Sequence, residues 1–427
     1  MLASLSAALR PYIKRRHLLR EWLDSGVTYN ELSHRFRQNP YPGYKALRQK
    51  DPVHWSRLYS AWVLTRHGDI EMVMRDHRRF SNDPRNHLSA GPQPALDGDL
   101  DDRGSLTTFL DPPDHTRLRS AVSEAFAPAA IEALEGRVRN VTVELLDRVD
   151  DAAGFDAMRA IAHPLPLIVI TELLGISESD RQQVQAWAAQ RICIVEPTIT
   201  ARQRRAAYAA GKALNDYHRE VINQRRKEPR DDLISALVRA EDEGDTLTEN
   251  EIVVMSRLLI VAGTRTTTNL IGNGLLALLR HPGEMQILRD QPDMLPAGVE
   301  ELLRYDNPIQ MVARYVIEDV ELSGRQLRRG QALLLLIGAG NRDPEAFSKP
   351  DELDITRKEG GSLSFGRGVH HCLGSILARI EARIVFDVLF ERYESLHLLT
   401  DQPAFTNATV IRGLTELPVG LKSGNAN

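Results

Sequence analysis

One loop near the C-terminus, Phe365-Gly366-Arg367-Gly368-Val369-His370-His371-Cys372-Leu373-Gly374, gathers glycines, histidines and a thiol. Gly366 and Gly368 allow backbone conformations closed to other residues, so the loop can turn amides toward a sulfur. Cys372 is expected at the start of the last helix, where the positive end of the helix dipole favours a thiolate. A lone thiolate fits either a nucleophile or a metal ligand. A zinc site would need several more soft or imidazole ligands, and only the adjacent histidines are on offer. The Gly-x-Gly lacks the third glycine and the strand–turn–helix frame of a dinucleotide fingerprint. A Gly-x-Ser-x-Gly hydrolase elbow and a Cys-x-x-Cys-His attachment motif are also missing.

A second unusual stretch is Gly263-Thr264-Arg265-Thr266-Thr267-Thr268-Asn269, inside a helix expected over 248–280. Thr248 and Glu251 form a capping box at its start, and His281-Pro282-Gly283 stops it. Ile252 to Ala262 is apolar on nearly every side apart from Ser256 and Arg257, so this helix should run through the core. Glycine and β-branched residues in its middle break local consistency, as functional sites tend to do. Close packing against another element accounts for them equally well. A Thr266 hydroxyl bonding back to the Ala262 carbonyl would bend the helix there.

The elements around these two stretches read as helical from Asp111-Pro112-Pro113 to about Arg304, with helices over 116–126, 131–149, 165–174 and 202–226. Short strands are expected at 53–55 and 61–64, and an apolar run at 332–337 marks a β-rich region before the last helix, 373–393. The stretch 89–102, rich in Gly, Pro and Asp, reads as a long mobile loop. The 427 residues suggest about three domains by length, but no linker divides them. The expected fold is therefore mainly α with small β-sheets in a single large domain. Residues 1–38 read as a helical N-terminal extension and 39–427 as the main domain.

With 54 basic against 58 acidic side chains, the net charge of −4 excludes a polycation that coats nucleic acid. The arginine runs Arg202-Gln203-Arg204-Arg205 and Arg225-Arg226-Lys227 are read as exposed helix faces. Two cysteines, Cys193 and Cys372, are too few for a disulfide framework or a cluster held by thiolates alone. No segment reaches the roughly eighteen apolar residues of a membrane span. The mildly apolar start leads into Lys14-Arg15-Arg16 and is read as a surface helix in preference to a peripheral anchor. A cytoplasmic location without membrane association is expected.

The 365–374 loop resembles the haem-binding loop of the cytochromes P450. Further matches follow in the family's order: His115-Thr116-Arg117-Leu118-Arg119, Ala262 to Thr267, Glu301-Leu302-Leu303-Arg304 and Asn341-Arg342-Asp343-Pro344. The resemblance implies haem b (iron protoporphyrin IX), held between the long central helix and the cysteine-loop helix, with Cys372 as thiolate ligand of the iron. It implies propionate contacts from His115, Arg119, Arg314 and His370. Phe365 would shield the sulfur, Gly366, Gly368 and Gly374 would shape the loop, and Gly263 would let the helix pass close to the haem. Thr266 would help deliver protons to dioxygen. Glu301 and Arg304 would form a buried structural pair. The implied reaction places one oxygen atom of dioxygen in a substrate and releases the other as water.

Before the threonine the family usually carries an acid, and here it is Arg265. Arginine cannot relay a proton as a carboxylate does. Arg265 either turns outward into an ion pair, holds a substrate carboxylate, or belongs to an altered cycle driven by peroxide. The chain has no flavin or iron–sulfur motif, so the resemblance implies electrons from a ferredoxin and its reductase. Arg75, Arg78, Arg79, Arg117 and Arg367 are the expected basic patch for that acidic partner. The substrate would be small and largely apolar, in a pocket lined by 81–108, 261–266 and 309–312. The rival from another class is a non-catalytic auxiliary protein of the same fold. Such relatives often lose the cysteine or the threonine, and both are retained.

Overall fold

In a computed structural model, residues 10–88, 107–149, 154–197, 199–242 and 247–421 are described, except for the side chains of 10–13 and 242. The stretch read as a mobile loop, 89–102, lies wholly outside them. The elements that position the site are helices α1 (Arg10–Ser25), α2 (Asp114–Ser123), α3 (Pro164–Leu173), α4 (Arg181–Arg191), α5 (Ala201–Lys227), α6 (Glu249–Arg280), α7 (Leu295–Tyr305) and α8 (Ser375–Arg392). Beside them lies a five-stranded sheet in the order β1-β2-β5-β4-β3, where β1 is Val53–Ser56, β2 Ala61–Leu64, β3 Phe80–Ser81, β4 Met311–Val316 and β5 Ala332–Leu336. Only β2 and β5 run parallel, with Ala61 opposite Ala332; the other pairings are antiparallel.

The capping box of α6 is present. The Glu251 N–H donates to the Thr248 hydroxyl at 3.3 Å, and the Thr248 N–H donates to the Glu251 carboxylate at 2.8 Å. Its apolar texture buries Ile252 to Ile260 almost without interruption. The two polar residues of that stretch go inside as well. Ser256 is buried, and Arg257 donates to the Asn215 side chain of α5 at 2.8 Å. Two glycines let α6 pack tightly. An added Cβ would come within 2.4 Å of the Met158 sulfur at Gly272 and 2.9 Å of the Phe386 ring of α8 at Gly274.

The expected helix over 131–149 is two helices, Pro128–Glu132 and Glu135–Leu146, because Ala133 and Leu134 make a tight turn in which the Leu134 N–H donates to the Ile131 carbonyl. The arginine runs also divide. Arg202 and Arg205 are exposed, as expected. Arg225 is buried against Asp232 at 2.6 Å, and Arg226 bridges Glu241 and Glu249. The second run therefore ties α5 to its neighbours.

Candidate active site

The cysteine loop is held by its own backbone. The Cys372 N–H donates to the Phe365 carbonyl at 2.8 Å, and the His371 N–H to the Gly368 carbonyl at 3.1 Å. Gly366 and Gly368 both sit in the left-handed region, at φ +71° and +70°. At Gly368 space is closed too, since a Cβ would lie 2.7 Å from the Met74 carbonyl oxygen. This residue fastens the loop onto the helix His67–Arg75.

Helix α8 begins at Ser375 with Gly374 as its N-cap, so Cys372 lies outside the helix and not at its first turn. Burial is the largest influence on its thiol and pushes the pKa up, although the residue as a whole is exposed. The Gly374 amide and the charges of Arg119 and Arg379 pull the other way without prevailing. The dipole alone thus does not produce the thiolate, whereas a bound cation would. Arg379 also lies 4.4 Å over the Phe365 ring and pairs with Glu300.

Four residues named from sequence converge beside this loop. His115 and Arg119 lie one turn apart on α2 and share a face. The His115 ring stands 4.2 Å from the His370 ring. Arg314 sits on the same face of β4 as Val316 and is buried. Burial, followed by His115, Arg314, Arg119 and His77, pushes His370 down to about 3. Burial likewise lowers Arg314 to about 10, opposed by Asp111. Asp111 is engaged elsewhere: it accepts from the Asn82 N–H at 2.9 Å and from the Ser81 hydroxyl. Among the described residues, Arg314 donates only to the Ala313 carbonyl, and His115 Nδ1 and His370 Nε2 are buried without a partner. Buried donors are normally satisfied. Two arginines beside two neutral imidazoles with unused buried nitrogens are the complement of a bound dianion, so these residues fit the two propionates of a haem.

In the middle of α6 the longest break in burial is at 261–266: Ala262 is exposed, and Val261 and 263–266 are half-buried. Ala262 and Thr266 are four residues apart and line the same face. The Thr266 hydroxyl donates to the Ala262 carbonyl at 2.7 Å and Thr264 to Ile260 at 3.0 Å, the back-bonding expected from sequence. Close packing does not explain Gly263, because an added Cβ would meet only Ile170 of α3, at an ordinary 3.5 Å. Arg265 makes no ion pair among the described residues, and its charge is felt by His163.

Of the residues expected to line the pocket, Ile309 and Val312 are half-buried. Gln310 and Met311 turn into the core, where Gln310 bonds Tyr44 and Asn307 and Met311 meets the Tyr29 hydroxyl. The expected basic patch is largely neutralised: Arg75 pairs with Glu71, Arg79 with Asp76, Arg117 with Glu251 and Arg367 with Glu71. Only Arg78 of the five has no such pair among the described residues.

Three contributors escaped the sequence. His77 adds charge to the cluster. Arg357 joins Glu301 at 3.1 Å beside Arg304. Glu196, between α4 and α5, accepts from the Thr409 N–H at 2.7 Å and from the Val410 and Ile411 amides at 3.2 Å each, tying that connection to the C-terminal loop. None carries a motif, since each acts across a long sequence separation.

Comparison with known proteins agrees with this geometry. Residues 34–421 match the family model described as Cytochrome P450. The chain is 39% identical to the polyketide biosynthesis cytochrome P450 PksS of Bacillus subtilis (strain 168), over 90% of this chain and 96% of the relative. It is 36% identical to the 6-deoxyerythronolide B hydroxylase of Saccharopolyspora erythraea, over 90% and 97%. Among solved structures, P450BioI in complex with an acyl carrier protein ligated to hexadec-9Z-enoic acid superposes with a TM-score of 0.85 at 35% identity, over 91% of this chain and 99% of that one. No helix among the described residues is long and apolar enough to cross a membrane. The chain belongs to the cytochrome P450 family: it is a haem b monooxygenase.

Proposed function

We propose that this monooxygenase oxidises a medium-sized, largely apolar molecule of polyketide or acyl-chain type, with electrons supplied by a ferredoxin and its reductase. The observation that carries the reading is the window of exposure in the middle of α6, with Ala262 and Thr266 on one face of a largely buried helix. An apolar surface with one hydroxyl orients a hydrocarbon substrate more than it grips it. The names of relatives that act in polyketide biosynthesis, and of one bound to an acylated carrier protein, support the substrate class.

Bound haem supplies the dioxygen chemistry, and the chain's residues hold it and move protons. In this reading Cys372 is the thiolate ligand of the iron, and His115, Arg119, Arg314 and His370 hold the propionates. Gly366, Gly368 and Gly374 fix the loop's backbone, and Phe365 covers the sulfur. Thr266 donates its proton to Ala262, which leaves its oxygen free to accept from water at the reaction centre. Arg265 cannot release a proton, so that water must be supplied by bulk solvent. Residues 39–427 form the catalytic domain and 1–38 an extension.

The unpaired Arg265 favours one variation, a substrate carrying a carboxylate. Oxidation under ¹⁸O₂ with a ferredoxin system tests the main reading. One labelled atom is expected in the product. In Thr266→Ala, peroxide release is expected to rise several-fold at the expense of product. Label from hydrogen peroxide alone, at full rate and without reductase, overturns the reading. Soret shifts confined to carboxylic acids, and lost in Arg265→Ala, select the carboxylate substrate.

A further inference from the structure

Helix α1 precedes the region matched by the family model, which begins at residue 34, and takes no part in the site above. It is nevertheless fixed in orientation. Its Glu21 is buried and accepts from the backbone N–H groups of Arg57 at 2.6 Å, Tyr29 at 3.2 Å and Leu58 at 3.2 Å. Asp24 is held by Arg57 at 2.6 Å.

Locking these two acids leaves an unusual outer face. Leu19, Trp22 and Leu23 are 58%, 56% and 66% exposed, three of the eight large apolar side chains exposed among the described residues. At 100° per residue they fall within an arc of about 100°. Arg15, one turn earlier, lies within that arc, and Arg16 and Arg20 follow its edge. All three are exposed and have no carboxylate within ion-pair distance among the described residues. Lys14 is close enough to Arg37 for its pKa to be lowered, after the effect of burial, so the helix meets further positive charge at its base.

We infer that α1 is a docking face for an anionic lipid surface. Tryptophan and leucine flanked by arginines is the composition of helices that lie in the membrane interface. A second copy of this chain is disfavoured, because its α1 offers no free acid to Arg15, Arg16 and Arg20: Glu21 is buried and Asp24 is held by Arg57. Of the two readings of this segment drawn from sequence, a surface helix and a peripheral anchor, the inference takes the second.

The test uses the full-length haem protein and vesicles of phosphatidylcholine with or without one quarter phosphatidylglycerol. Flotation with the anionic vesicles, weakened by salt, is expected, with little on neutral ones. Loss of roughly fivefold per arginine is expected for Arg15→Gln, Arg16→Gln and Arg20→Gln, about 100-fold together. Leu19→Ser with Leu23→Ser should weaken binding comparably. The carbon monoxide spectrum and melting temperature should stay unchanged in both sets. If a variant misfolds, quenching of the native protein by brominated lipid, absent in Trp22→Phe, reports the same contact. Equal binding to both vesicle types, no binding, or variants that bind unchanged overturn the inference. A dimer in solution that Leu23→Glu dissociates overturns it too.

Discussion

Arg304 and Arg314 are both buried, yet their surroundings differ in kind. Arg304 makes a bidentate pair with Glu301 at 2.7 Å for each bond and donates to the carbonyls of Asn341, Pro350 and Glu352. Every direction of the guanidinium fork is used, and Arg357 balances the second side of Glu301. Arg314 donates to one carbonyl, and the acid nearest in charge is committed to Ser81 and Asn82. A buried cation left so short of partners costs stability unless something else satisfies it. Hydrogen-bond accounting alone thus separates a satisfied structural arginine from the one proposed to hold a propionate.

Breaking the satisfied site should have the largest effect. Arg304→Leu leaves Glu301 buried with Arg357 and the Asp354 N–H, and removal of one partner from a buried ion pair costs about 3–5 kcal/mol. We expect little folded haem protein, read by the yield of the carbon monoxide spectrum. Arg314→Leu should behave oppositely in the haem-free polypeptide. Relieving an underused buried charge should raise its unfolding free energy by about 1 kcal/mol, measured by denaturant titration. Haem retention in competition with apomyoglobin should meanwhile fall about 10- to 100-fold, the loss of one charge-assisted contact. Equal destabilisation by both substitutions would erase the distinction between the two sites.

The same accounting explains what the sequence disclosed. Contacts spanning three or four residues were legible: the Thr248–Glu251 box, the Glu301–Arg304 pair and the Thr266–Ala262 bond each repeat the geometry of one helical turn. The residues proposed to hold haem come from three distant stretches, 115–119, 314 and 365–374, and a familiar pattern named them where spacing could not. Arg357, His77 and Glu196 belong to no local pattern and stayed hidden. The charge patch failed for a related reason. Its arginines are conspicuous in sequence, but Glu71 is shared by Arg75 and Arg367 only once the loop folds onto the helix His67–Arg75. The outward face of α1 was half visible: its arginines stood out, and the locking of Glu21 that turns Leu19, Trp22 and Leu23 outward did not.

Glu381 sharpens the comparison from the acidic side. It lies on α8, buried, with no hydrogen bond or ion pair among the described residues, and burial raises its pKa to about 8. An unfolded glutamate titrates near 4.5. Between those values the folded chain binds a proton that the unfolded chain has released. Stability due to this group therefore falls as pH rises from about 4.5 and levels off above about 8. The neutral isostere Glu381→Gln removes that slope. It should be more stable than the native protein by about 4 kcal/mol at pH 8 and nearly indistinguishable from it near pH 4.5. Denaturant unfolding at the two pH values measures this difference of differences. An equal gap at both would mean that Glu381 has a partner in solution and belongs with Arg304.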